Sequence, residues 1–194
     1  MELVRPAAHA VFQELNTTMP ITYKLVFAGP VGAGKTTAIQ SLSDIEVVTT
    51  EASISDGGRS IKPTTTVAMD YGLMKLGSGD QVRLYGTPGQ KRFDFMWDIL
   101  SENALGLVML VRADAPDPAR DLREYVEAFR PVIDRTGLVV GITHGEKAGP
   151  QVRQNISREL LRIGLPPTVM DIDARDRAQM TALVRTLIHN ISPA

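Results

Sequence analysis

The spacing of apolar residues divides the chain into strands and helices in alternation. Ile21–Ala28 closes on Leu-Val-Phe-Ala and reads as a buried strand, and Lys35–Leu42 reads as the helix that follows it. Val48–Pro63 is rich in Thr, Ser and Gly without a clear period, which predicts a long loop. Thr66–Leu76 and Gln81–Tyr85 are β-rich runs on either side of Gly77-Ser78-Gly79-Asp80, a hairpin signal that makes one strand antiparallel. Ala104–Val111 is continuously apolar, as expected of a central strand covered on both faces. Asp117-Pro118 supplies an N-cap and a first-turn proline for a helix running to about Arg130. Leu138–Ile142 and Thr168–Ile172 read as two further strands. Between them Val152, Ile156, Leu160 and Ile163 recur at helical spacing, and Gly164 stops that helix. The final helix carries a core-facing stripe of Met180, Leu183, Val184, Leu187, Ile188 and Ile191. Residues 1–20 read as an N-terminal extension with a short helix near Ala7–Leu15, and 21–194 as a single domain.

One motif sits at the junction of the first strand and first helix. Gly29-Pro-Val-Gly-Ala-Gly34-Lys35-Thr36 has the spacing Gly-x4-Gly-Lys-Thr of a nucleotide-phosphate loop. Glycines at 29, 32 and 34 accept backbone angles that a β-carbon forbids, so successive N–H groups of Val31, Gly32, Ala33 and Gly34 can converge on one anion. The helix amino end, with Thr36 and Thr37, adds partial positive charge at the same place. Lys35 is expected to reach the β- and γ-phosphates, and the Thr36 hydroxyl to ligate Mg²⁺. A nucleoside di- or triphosphate is the expected ligand.

Composition narrows the surroundings of that ligand. At 194 residues and 43% hydrophobic content the chain can bury a core of normal size. A formal net charge of -1 gives no bulk attraction to nucleic acid or an anionic membrane. The absence of cysteine excludes disulfides, thiolate metal sites, cysteine nucleophiles, and prenyl and palmitoyl anchors. Glu2 is not the glycine that myristoylation needs, so no direct lipid anchor is expected. No apolar run approaches the roughly twenty residues of a membrane span, and the N-terminus lacks a secretory signal pattern. A cytoplasmic location is expected. His9, His144 and His189 share no metal-ligand spacing.

Beside the phosphate loop, the order of elements and the segment Tyr85-Gly86-Thr87-Pro88-Gly89-Gln90 resemble the Ras-like small GTPases over most of 21–191. The resemblance implies an α/β, three-layer P-loop NTPase fold with a mostly parallel six-stranded sheet and one antiparallel strand. It implies GTP and GDP as ligands, Mg²⁺ as cofactor, and slow, partner-stimulated GTP hydrolysis. The Gly89 N–H would sense the γ-phosphate and Gln90 would orient the attacking water, with Lys35 as the second catalytic residue. Gly86 departs from the family, which places a carboxylate there to hold Mg²⁺-bound water; its loss weakens metal retention or moves the task elsewhere. Among Thr64, Thr65 and Thr66, either Thr65 or Thr66 is the expected switch threonine at the metal. Val31 stands where a partner's arginine would approach, and Arg59 is an alternative source of that charge in cis.

Guanine recognition is altered. Where the family has Asn-Lys-x-Asp, this chain has Thr143-His144-Gly145-Glu146. A Glu146 carboxylate can accept from guanine N1–H and the exocyclic amine, and His144 can stack on the base. Asp173-Ala174-Arg175 resembles the family's Ser-Ala-Lys, with the Ala174 N–H meeting the base carbonyl oxygen. Pro63-Thr-Thr-Thr-Val-Ala-Met-Asp-Tyr-Gly, with Gly-Thr-Pro-Gly-Gln and Phe95-Met-Trp97, is similar to the bacterial conservon and gliding-motility polarity GTPases. That similarity implies signalling or cell polarity and a Roadblock-type regulator or other protein effector. Phe93, Phe95, Met96 and Trp97 are expected to contribute a partner surface beside Gln90. A non-hydrolysing nucleotide-binding scaffold and a small P-loop ATPase or kinase remain as alternatives.

Overall fold

The computed structural model describes residues 20–54, 65–89, 95–147, 149 and 151–191. Its centre is a seven-stranded sheet. The strands are β1 (Thr22–Ala28), β2 (Val48–Ile54), β3 (Thr65–Lys75), β4 (Gln81–Gly86), β5 (Gly106–Arg112), β6 (Leu138–Thr143) and β7 (Val169–Asp171), in the order β2-β3-β4-β1-β5-β6-β7. β1 lies parallel to β4 and β5, and β6 and β7 continue that direction. β3 is antiparallel to both its neighbours. The sheet is therefore mostly parallel with one reversed strand, as expected, but it has one strand more than expected.

The extra strand corrects the reading of Val48–Pro63 as a loop. Val48–Ile54 forms the sheet edge, paired residue for residue from Val48↔Tyr71 to Ile54↔Thr65. An edge strand needs little apolar content, so Val48 and Ile54 with intervening Thr, Glu, Ala and Ser gave no alternation to find. The remainder of that stretch, with Arg59, lies outside the described residues, as do Thr64, Ala7–Leu15 and Gln90–Asp94.

Helices cover both faces. α1 (Lys35–Leu42) and α6 (Arg177–Ile191) pack on one face, where Ala38, Ile39 and Leu42 meet Met180, Leu183, Val184 and Leu187 with no more than 3% exposure. On the other face lie α2 (Phe95–Ser101), α3 (Pro118–Ala128), the single turn α4 (Arg130–Ile133) and α5 (Gln151–Arg162). Asp117 caps α3 by accepting from the Arg120 N–H at 3.0 Å. Pro131 sits in the first turn of α4 and cannot continue α3. Leu122, Tyr125, Val126, Phe129, Ile156 and Leu160 form this layer with Trp97. Trp97, expected at a partner surface, is core: it stacks on Phe129 at 4.9 Å and is 4% exposed. Its neighbour Ile99 takes the outward position at 67% exposure, and Met96 is half-buried. Among the described residues no helix is long and apolar enough to cross a membrane.

Candidate functional site

Where β1 ends, the chain turns through Gly29, Gly32 and Gly34 with φ of 138°, 78° and 89° before α1 begins. A side chain at Gly29 would collide with the Leu110 carbonyl oxygen, 2.1 Å from its Cβ position, so only glycine lets the loop run over the end of β5. Gly34 caps α1 without a side-chain hydrogen bond, leaving the first helical N–H groups directed at the loop's interior. Lys35 is 8% exposed and donates to the Gly29 and Pro30 carbonyls at 2.7 and 2.8 Å. Burial pulls its ammonium down to about 8, partly opposed by the Asp70 carboxylate. Val31 is 61% exposed at the rim, and Ala33 is fully buried.

Beside Thr36, the expected metal ligand, stands a carboxylate that the sequence reading did not single out. Asp70, 8% exposed on β3, accepts from the Thr36 hydroxyl at 2.5 Å and from the Thr49 hydroxyl at 2.9 Å. In the strand register Asp70 lies directly opposite Gly86. A Cβ on Gly86 would stand 3.1 Å from both Cβ and Oδ2 of Asp70. The Asp70 carboxylate thus stands in the space into which a side chain at position 86 would project. Among the described residues no cluster of three or more His, Cys, Asp or Glu could hold a metal by itself. The hydroxyl-and-carboxylate set at Thr36 and Asp70 is all oxygen and short of ligands, which suits Mg²⁺, a cation that keeps waters and shares phosphate oxygens. Thr65 and Thr66 belong to the extended backbone of β3, paired with Ile54 and Ser53. They lie five and four residues from Asp70, or about 13–17 Å along the strand.

On the opposite side of the loop, a cavity of 710 Å³ runs from Gly32, Gly34, Lys35, Thr36 and Thr37 to His144, Glu146, Ala174, Arg175 and Gln179. That size suits a nucleotide, since ligand pockets span about 300–1,000 Å³. Thr143, 2% exposed at the end of β6, places its hydroxyl 3.1 Å from the Ala33 carbonyl and 3.2 Å from that of Val111. His144 Nδ1 lies 3.1 Å from the same hydroxyl oxygen. His144 is held at φ 58°, which turns the chain into the short 3₁₀ turn Gly145–Lys147 bearing Glu146. Arg175 binds the Asp173 carboxylate at 2.8–2.9 Å and comes within 3.4 Å of Glu146. That guanidinium, with the Arg175 N–H, holds Asp173 down to about 2. Ala174 touches the loop from beyond β7: its Cβ is 3.2 Å from where a Cβ of Gly34 would be.

The structure places His144, Glu146 and Ala174 in the wall of the same cavity as Gly32, Gly34 and Lys35 of the phosphate loop. Gly89 meets the same loop from the end of β4, and Gln90 lies outside the described residues. Asp70, Thr49 and the Thr143 hydroxyl were missed as site groups. The one available signal was an acidic residue inside the apolar run Val67–Tyr71. Arg112, at the end of β5, was missed as well; it forks onto Asp114 at 2.9 and 3.0 Å, with Nη1 3.0 Å from the Cβ position of Gly32.

A family described as "conserved hypothetical ATP binding protein" matches residues 27–129, a span that contains the phosphate loop, Asp70 and Gly89. The chain belongs to that family. It is also similar to the intraflagellar transport protein 22 homolog of Homo sapiens, with 23% identity over 176 residues, covering 87% of this chain and 91% of the relative. These matches support a nucleotide-binding P-loop protein and do not single out the bacterial conservon group.

Proposed function

From membership of a nucleotide-binding family, we propose that this chain is a guanine-nucleotide switch that hydrolyses GTP slowly and acts in the cytoplasm through a nucleotide-dependent partner. The carrying observation is one continuous cavity that joins the phosphate loop to the Glu146 carboxylate and the Ala174 backbone. A carboxylate at the base end favours guanine, whose N1–H and amino group form a paired donor face that adenine lacks. Thr143 anchors the base-binding segment to the Ala33 carbonyl, fixing the distance between the two ends of the ligand.

Mg²⁺, held through the Thr36 hydroxyl with Asp70 as acceptor for its bound water, would neutralise phosphate charge. This chain's own residues do the rest. The loop N–H groups and Lys35 bind the phosphates, Glu146 orients the base, and Gln90 positions water. A Roadblock-type regulator or another protein effector, in signalling or cell polarity, is the partner class that the switch motifs support. The family's description favours a second reading, an ATP-binding protein. Titrations with GDP, GTP, ADP and ATP, with and without Mg²⁺, separate the two. Guanine nucleotides binding at least about tenfold tighter, about 1.4 kcal/mol, support the guanine switch, and equal or tighter ATP binding replaces it.

A further inference from the structure

The Pro88–Gly89 segment stands in the phosphate loop. A Cβ on Gly89 would be 2.8 Å from Lys35 Nζ and 2.8 Å from Val31 N. A phosphate oxygen bonded to both donors would also sit about 2.7–3.2 Å from each, so the Gly89 backbone borders the space such an oxygen needs. A terminal phosphate held by these two donors would crowd the Gly89 backbone where it now stands. The cavity agrees: among the described residues its wall begins at Gly32 and includes neither Val31 nor Gly89.

Two side chains from the far face of the sheet fix this backbone. The Tyr125 hydroxyl on α3 donates to the Gly89 carbonyl at 2.6 Å. The Trp97 indole N–H on α2 donates to the Pro88 carbonyl at 3.2 Å. The two rings pack on each other at 5.1 Å, and Phe129 backs the indole. Burial pushes the Tyr125 phenol up to about 12, so it remains a donor at any working pH. Neither side chain lines the nucleotide cavity.

We propose that Tyr125 and Trp97 determine selection of diphosphate over triphosphate, by bonding Pro88 and Gly89 into the space the terminal phosphate needs. The inference rests on the nucleotide-switch reading of the same site. A ligand that fits the cavity with Gly89 in place binds without disturbing these bonds. One that must expel Gly89 has its apparent affinity reduced by the fraction of molecules already released. Weakening the bonds raises triphosphate affinity and leaves diphosphate affinity alone.

Trp97 is the single tryptophan of the chain, so its emission reports the indole's bond directly. Full-length wild type and Tyr125→Phe are titrated by calorimetry and tryptophan fluorescence with GDP, a non-hydrolysable GTP analogue, ADP and the matching ATP analogue. Tyr125→Phe keeps the ring packing and removes one hydrogen bond. It should narrow the diphosphate-to-triphosphate affinity ratio about 2- to 10-fold, the usual worth of such a bond, entirely through tighter triphosphate binding. In wild type the triphosphate analogue should shift Trp97 emission, and the diphosphate should not. An unchanged ratio, a ratio narrowed by weaker diphosphate binding, or the same emission with both ligands overturns the inference. Preference for adenine in the same titrations overturns the guanine reading separately, because the ratio is then read on the adenine pair.

Discussion

Replacing Asp70 by Asn tests the carboxylate supplied from β3. The amide keeps the shape, but its nitrogen cannot accept, so one of the hydroxyl bonds from Thr36 and Thr49 is lost and the other becomes neutral. Bonds to a charged acceptor contribute about 1.5–3 kcal/mol each against about 0.5–1.5 for neutral ones. Groups that orient a metal site from behind its ligands typically account for about 10–100-fold in metal affinity, or about 1.4–2.8 kcal/mol. The Mg²⁺ concentration that half-maximally retains a fluorescent GDP should therefore rise about 10–100-fold. The assay belongs near pH 6.5, because Asp70 also supports the charge of Lys35, which is already drawn down to about 8. In EDTA the variant should hold GDP within about twofold of wild type, since Asp70 does not line the cavity. The double variant Asp70→Gly/Gly86→Asp moves the carboxylate one strand over into the same space and should recover part of the loss. An unchanged Mg²⁺ midpoint in Asp70→Asn, or no recovery in the exchange, refutes the assignment.

Other consequences can be measured alongside. Lys35 must be protonated to bind phosphate, and bound phosphate raises its pKa. GDP affinity by anisotropy should thus be flat below about pH 7 and fall by up to tenfold per unit above about 8, whereas a flat profile to pH 9.5 contradicts the role. Glu146→Ala should reduce the guanine preference toward unity in calorimetry while leaving phosphate-loop affinity for pyrophosphate intact; retained preference would place base recognition elsewhere. Glu159, clasped by Arg162 and Arg123, titrates near 2 instead of 4.5. Its contribution is present above about pH 4.5 and is lost as pH falls toward 2. Glu159→Gln should cost about 1–2 kcal/mol in urea unfolding at pH 7, the partly exposed arginines keeping the value low, and the gap should close in acid.

Much of the site was legible because its determinants are local. The phosphate loop is one contiguous run whose glycines are dictated by backbone angles, β5 announces itself by an unbroken apolar run and α6 by its helical period. What the sequence hid depends on strand register. Asp70 looks like an interruption in an apolar run until β3 is laid against β4, when it falls opposite Gly86. Trp97 looked like surface because three aromatics crowd one short segment, yet the indole turns inward to bond Pro88 and stack on Phe129. Thr143 reads as a departure from the family's asparagine, and its hydroxyl bonds the Ala33 carbonyl, a contact between residues far apart in the chain.

A crystal structure of the full chain with GDP and Mg²⁺ tests the central claim most directly. The account predicts the phosphates within the loop of Gly29–Thr36, the base edge on the Glu146 carboxylate and Ala174 N–H, and Asp70 facing the water shell of the metal. A base bound away from Glu146, or a metal held without Thr36 and Asp70, would contradict it.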